Sequence, residues 1–317
     1  MQSAKEDNVS KASRVGRVIR WLLIVLVPLA AIFFLVVVPW FFTYMLTAHR
    51  FHFRDLNDGK TPQDFGMSYQ PADFQSSDGV ALKGWYLPAT SQPAGTIVYC
   101  HGVNRTRIEM LPMAEFAHSL GYNGLVFDFR HEGASGGAIS TIGYQERLDV
   151  EGAVRYALDQ QHAARPVVVW GVSMGAAAAL MAAAESPDVS AVVSDSSFLT
   201  FEDTVRHHWK LYVGAPVFPI TNEVIAWVGL RGHFQPSDFD LRRAVERMNP
   251  RPILFVAVDG DKRMPPDIAR TLYGLATSPD KMLVVLQGNR HGEGFKSGNE
   301  QYEQAVKEFL TKLKAGA

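Results

Sequence analysis

Cysteine is almost missing from this chain: Cys100 is the only one among 317 residues. That excludes a disulfide framework and a Cys/His metal cluster, and leaves the redox compartment open. A charge of one sign is also missing. Lys plus Arg total 31 against 32 for Asp plus Glu, a formal net charge of −1, and no basic run is dense enough to track a phosphate backbone. A nucleic-acid partner is therefore not expected. There are no internal repeats and no long low-complexity tract, which rules out solenoids and arrays.

Charge is missing altogether from one place. Between Trp21 and Ala48 no charged residue occurs, and Trp21 to Leu46 is almost wholly apolar. As a helix that run spans about 40 Å at 1.5 Å per residue, enough to cross a hydrocarbon core of about 30 Å with some tilt. Pro28 and Pro39 would each disturb such a helix, a disturbance membrane helices tolerate. Trp40, Phe41, Phe42 and Tyr44 cluster toward one end, as at a membrane–water interface. A cleaved signal peptide would have a shorter apolar region and a small-residue cleavage site, so an uncleaved anchor is expected. Lys5, Lys11, Arg14, Arg17 and Arg20 precede the run; Arg50 and Arg54, offset by Asp55 and Asp58, follow it. That bias predicts a cytoplasmic N-terminus and an extracytoplasmic remainder, periplasmic in a bacterium. The chain then divides into a basic N-terminus (1–20), a transmembrane anchor (21–48), a polar connector (49–66) and one large domain (67–317).

Within that domain strand and helix signals alternate. Apolar strands are expected at Ala81–Leu87, from Thr96, at Gly124–Phe129, from Val167, at Ala191–Ser194, from Ile253 and from Met282. Helices are expected at Leu111–Leu120, Gly143–Gln160 and Tyr302–Leu313. Such alternation implies an α/β fold with a mostly parallel sheet flanked by helices. The rhythm breaks at 198–249, where no strand signal appears and Phe201, Trp209, Tyr212, Phe218, Trp227 and Phe234 accumulate. This stretch reads as a small lid-like insertion over the catalytic face, with ordinary packing of surface helices as the alternative.

The most specific chemistry lies at Val167-Val168-Val169-Trp170-Gly171-Val172-Ser173-Met174-Gly175, followed by an alanine-rich helical segment. Strand, Gly-x-Ser-x-Gly and helix in that order make a nucleophile elbow, in which a sharp turn exposes the Ser173 hydroxyl. Gly171 and Gly175 keep side chains out of the space where strand and helix nearly meet. A serine hydroxyl is a weak nucleophile at neutral pH, so a base, an orienting acid and oxyanion donors are required. His291, in a glycine-flanked loop after the Met282 strand, is the candidate base. Asp259 and Asp261 after the Ile253 strand compete as the acid, and Asp195 after the Ala191 strand is a further option. The amide of Met174 is one expected oxyanion donor. The second comes from the loop after the Thr96 strand, with Val103 preferred to Asn104.

At these positions the chain resembles the α/β-hydrolase family, over nearly everything after residue about 70. His101-Gly102, the elbow at Ser173, Asp261-Lys262-Arg263-Met264-Pro265 and His291-Gly292 match in order. Asp128-Phe129-Arg130-His131-Glu132-Gly133-Ala134-Ser135-Gly136-Gly137 resembles a loop of the membrane-anchored Bem46-like branch. The resemblance implies Asp261 as the acid, although Val258 replaces the family's glycine at that strand end. His101 is read as a support of the oxyanion loop, Asp128 and Arg130 as loop ties, and the pair His207-His208 as lid surface with no metal. The implied function is a membrane-anchored serine hydrolase that cleaves esters or thioesters of a small or lipid-like acyl substrate, without metal or organic cofactor. A peptidase or amidase of the same fold is the alternative, as is a non-catalytic anchored binding module.

Overall fold

The computed structural model describes residues 2–48, 54–55, 57–292, 294–295 and 300–315. Residues 49–53 and 56 of the expected connector, Arg50 among them, lie outside the described residues. The polypeptide begins with a helix, α1 (Gln2–Ile32), which passes through a widened π turn at Phe33–Val37 into α2 (Val38–Thr47). The π turn immediately precedes Pro39. Proline lacks an N–H and its ring crowds the carbonyl four residues back, so a looser turn at that place lets the helix continue. The helix reaches further toward the N-terminus than the apolar run alone. Arg14–Thr47, 34 residues, is long and apolar enough to cross a membrane.

Eight strands form one sheet. They are β1 (Gln70–Gln75), β2 (Ala81–Leu87), β3 (Thr96–Cys100), β4 (Asn123–Asp128), β5 (Val167–Val172), β6 (Ala191–Asp195), β7 (Ile253–Val258) and β8 (Lys281–Leu286). Their spatial order is β1-β2-β4-β3-β5-β6-β7-β8. The β1–β2 and β2–β4 pairs are antiparallel, and every later pair is parallel. The parallel strands β3 to β7 are buried along their whole length, the pattern of a sheet covered on both faces. The sequence reading omits β1. Only Ala72 and Phe74 are buried there, and Pro71 sits in an edge strand, where a missing ladder donor is harmless.

Helices α3 (Leu111–Ser119) and α10 (Glu300–Ala315) cover one face of the sheet. On the other lie α4 (Glu146–Asp159), α5 (Met174–Glu185), α8 (Leu241–Glu246) and α9 (Asp267–Leu275). Two apolar cores result, one on each side. The irregular stretch after β6 is helical as far as α8. It comprises α6 (Phe201–Tyr212), α7 (Ile220–Gly232) and a short 3-10 turn at Pro236–Asp238, joined by one isolated bridge between Thr200 and Asp240.

Candidate active site

The carboxyl edge of the parallel strands gathers the chemistry, as expected for an open α/β sheet. Ser173 lies between β5 and α5 with φ 55° and ψ −115°, a backbone conformation that side chains rarely adopt. Its amide donates to the Asp195 carbonyl oxygen, at 2.8 Å, pinning the turn to the end of β6. The glycines make the turn possible. A Cβ on Gly171 would strike the backbone of Gly175, and one on Gly175 would strike the carbonyls of Cys100 and His101. Strained backbone of this kind persists only where the surroundings over-determine it, and such strain clusters at functional sites.

His291 reaches the elbow from the loop after β8. Its Nε2 is 2.8 Å from Ser173 Oγ, and its Nδ1 is 2.7 Å from Asp261 Oδ2. The three residues, separated by 30 and 118 positions, thus form one hydrogen-bonded line. Asp261 is buried, and its second oxygen accepts the amides of Arg263 (2.8 Å) and Met264 (3.0 Å). Burial pushes its carboxyl upward. The His291 ring and those two amides outweigh burial and hold it below the ordinary aspartate value. Asp259 does other work: it accepts the Gly288 amide at 2.9 Å and ties the β7 and β8 ends together. Asp195 is buried, with its carboxylate held by the hydroxyls of Ser196 (2.8 Å) and Tyr302 (2.9 Å). Burial pushes it up to about 6, partly countered by those hydroxyls and by His291.

The loop after β3 has a definite donor pattern. Glu109 takes the Gly102 amide at 2.7 Å, and Glu132 takes the Asn104 amide at 3.0 Å. Among the described residues no acceptor holds the Val103 amide between them, nor that of Met174. Asn104 is thereby spoken for, and Val103 is the available donor of the pair. Glu109 and Glu132 were invisible to sequence reasoning, because a carboxylate that cages a distant amide carries no local signature. His101 is buried with both ring nitrogens committed: Nδ1 to the Gly102 carbonyl (2.7 Å) and Nε2 to the Phe129 amide (3.0 Å). It braces this loop and has no lone pair for a serine. Arg130 spans Asp149 and Asp78 at 2.7 Å each, and Asp128 accepts the amides of Arg107 and Ala134. Both tie loops together, as expected of them.

A cavity of about 600 Å³ opens beside Ser173, within the size range of small-molecule sites. Its walls are mostly apolar, from Ile142, Met174, Phe198, Phe201 and Val205 among others. A larger groove, about 840 Å³, is lined by Glu202, Arg206 and His233 among others and touches none of Ser173, Asp261 and His291. His208 corrects the reading of the His207-His208 pair as lid surface. His207 bonds the Lys262 carbonyl at 2.8 Å, whereas His208 turns inward and lines the cavity. Burial, followed by the nearby Arg263 and His207 charges, pushes His208 down to about 4, so it is neutral at physiological pH.

Comparison with known proteins agrees with this architecture. The profile of the hydrolases described as serine aminopeptidase, S33, matches residues 91–237. The Bacillus subtilis protein YqkD is 25% identical over 240 residues, covering 75% of this chain and 78% of its own length. Protein bem46 of Schizosaccharomyces pombe is 24% identical over 255 residues, 79% of each. Among solved structures, the Pyrococcus furiosus esterase Pf2001 superimposes with a TM-score of 0.68 at 24% identity, covering 82% of this chain and 99% of the esterase. The chain has the α/β-hydrolase fold. In this fold the Ser173 turn and the loops that bear Asp261 and His291 follow strands β5, β7 and β8, so the sheet itself sets their spacing.

Proposed function

We propose that this hydrolase is a membrane-anchored serine hydrolase acting on carboxylic esters or thioesters through an acyl-enzyme. The observation that carries the reading is the unbroken line from Asp261 through His291 to a serine on a strained elbow. Ser173 Oγ attacks the carbonyl carbon while His291 Nε2 takes the hydroxyl proton. The developing oxyanion is met by the amides of Val103 and Met174, a kind of contact whose loss costs roughly 10²–10³ in turnover. His291 then gives the proton to the departing alcohol or thiol. Water enters, loses a proton to the same nitrogen and releases the acid. Asp261 keeps Nδ1 protonated, so that Nε2 is the free base.

The apolar cavity beside Ser173 supports an aliphatic acyl group over a charged or strongly polar one. An amide or short peptide is the second reading, favoured by the aminopeptidase name of the matching family. The 34-residue apolar helix near the N-terminus supports anchoring in a membrane. The cation bias before it supports a cytoplasmic N-terminus with the domain on the opposite side.

The test combines two measurements on the purified full-length chain. A fluorophosphonate probe should label the wild type and leave Ser173→Ala untouched, and p-nitrophenyl esters should be hydrolysed by the first and not the second. No labelling, together with no hydrolysis at any chain length, would reject the enzyme in favour of a binding module. Turnover of aminoacyl amides well above that of esters would favour the peptidase.

A further inference from the structure

The helix that leads out of the apolar run does not stop at a connector. Its last turns are built into the hydrolase domain. Pro39, Thr43 and Thr47, spaced four apart, are buried, and α2 lies against α7 of the lid. The Thr47 carbonyl accepts the Ser140 amide at 2.8 Å, fixing the helix end to the loop that leads into α4. Phe42, expected to join the interfacial aromatics, instead turns inward and meets the Trp209 ring edge to face, centroids 5.1 Å apart. Trp40 and Tyr44 remain outside, stacked on each other.

That docking gives the cavity beside Ser173 a wall from the anchor itself: Phe42, Met45 and Leu46 line it together with Val103 and Met174. The rim is apolar and open, since Met45, Tyr212 and Val213 line the cavity and are also exposed. Dimensions place this mouth near a bilayer surface. From Arg14 to Val37 every residue of the helix is exposed, with α7 coming alongside only at Phe33–Val37. Those residues reach about 36 Å at 1.5 Å per residue, close to the roughly 30 Å of a hydrocarbon core. The cavity wall begins at Phe42, little more than one turn beyond the end of that exposed stretch. A soluble acyl ester would have no use for a mouth held there.

Resting on the serine-hydrolase reading, we infer that the carboxyl end of the anchor helix is part of the acyl-binding site. The substrate is a membrane-resident acyl ester whose chain enters from the bilayer along Phe42, Met45 and Leu46. The anchor is then a specificity element as well as a tether.

The test uses the full-length chain in lipid nanodiscs and the ratio of kcat/KM for p-nitrophenyl laurate to that for p-nitrophenyl butyrate. Leu46→Trp and Met45→Trp fill the wall, and each methylene excluded from an apolar site costs roughly fourfold. Each variant should therefore lower the ratio by about tenfold or more. Trp40→Ala, on the outward side of the same helix, should leave the ratio where it is. A thermal midpoint close to that of the wild type certifies the fold of each variant. Should Leu46→Trp fail that check, Met45→Trp, at the open rim, carries the test. An unchanged ratio in a folded wall variant would overturn the inference, as would an equal fall in Trp40→Ala. A wild-type chain that the probe never labels would instead sink the hydrolase reading beneath it.

Discussion

Replacing Asp261 by asparagine is the sharpest probe of the relay, because the surroundings dictate how the new side chain must sit. Asp261 Oδ1 accepts two amides, from Arg263 and Met264, at 2.8 and 3.0 Å. The asparagine carbonyl oxygen must stay there, since an NH2 group facing two N–H donors would leave three buried donors unpaired. The NH2 is thereby turned onto His291 Nδ1, at the 2.7 Å contact now made by a carboxylate oxygen. A donor at that point makes Nδ1 the acceptor and moves the ring proton to Nε2. Nε2 faces Ser173 Oγ at 2.8 Å, so serine loses its base while the geometry stays intact. A tautomer reversal of this kind costs about 10⁴ in kcat in a Ser-His-Asp site, or about 5.4 kcal/mol at 1.36 kcal/mol per decade. The assay is kcat on p-nitrophenyl butyrate with the thermal midpoint as a fold control. Asp259→Asn is the companion. That carboxylate is exposed and holds only the Gly288 amide, so kcat should change by less than about threefold. A loss under tenfold in folded Asp261→Asn, or a larger loss in Asp259→Asn, would refute the assignment.

Two other outcomes are expected. Gly175→Ala drives a methyl into the Cys100 and His101 carbonyls, which belong to the central strand and the oxyanion loop and cannot yield. It should cost about 3 kcal/mol or more, read from a urea midpoint, with hydrolysis lost in whatever folds; a near-neutral midpoint would show the elbow is looser than drawn. His208 predicts an acid limb to stability. Its folded value, about 4, lies below the unfolded value near 6.5, so the unfolded chain binds the proton first. Stability is therefore complete above about 6.5 and lost as pH falls toward 4, by roughly 2–3 kcal/mol. His208→Phe should remove that part of the loss, and parallel midpoint-versus-pH curves for the two proteins would contradict the assignment.

Much of the framework was legible because its signals are local. A buried parallel strand is a short apolar run rich in β-branched residues, and β3, β5, β6 and β7 announce themselves in this way, as does the half-buried β8. Gly171 and Gly175 are legible for the same reason: a two-residue spacing around a serine, between strand and helix, leaves little room for another meaning. The β1 strand was illegible, since an edge strand with Pro71 and only two buried residues has almost no apolar pattern to read. Helix α9 escaped as well, because nine residues give its apolar stripe little more than two turns to repeat.

The amino-acid order alone determined the strand-rich α/β class, the elbow that carries Ser173 and the uncharged helix near the N-terminus, because each is written in neighbouring residues. It left two aspartates two positions apart as rivals, the adjacent amides of Val103 and Asn104 as alternative oxyanion donors, and Phe42 among the interfacial aromatics. Tertiary structure decided all three. Asp261 meets His291 while Asp259 meets Gly288; Glu109 and Glu132 occupy the amides on either side of Val103; and α7 packs against the end of the N-terminal apolar helix beside the cavity. Each outcome depends on which groups from remote strands share a few ångströms, and that proximity is set by sheet order and helix packing, quantities that no local window of sequence contains.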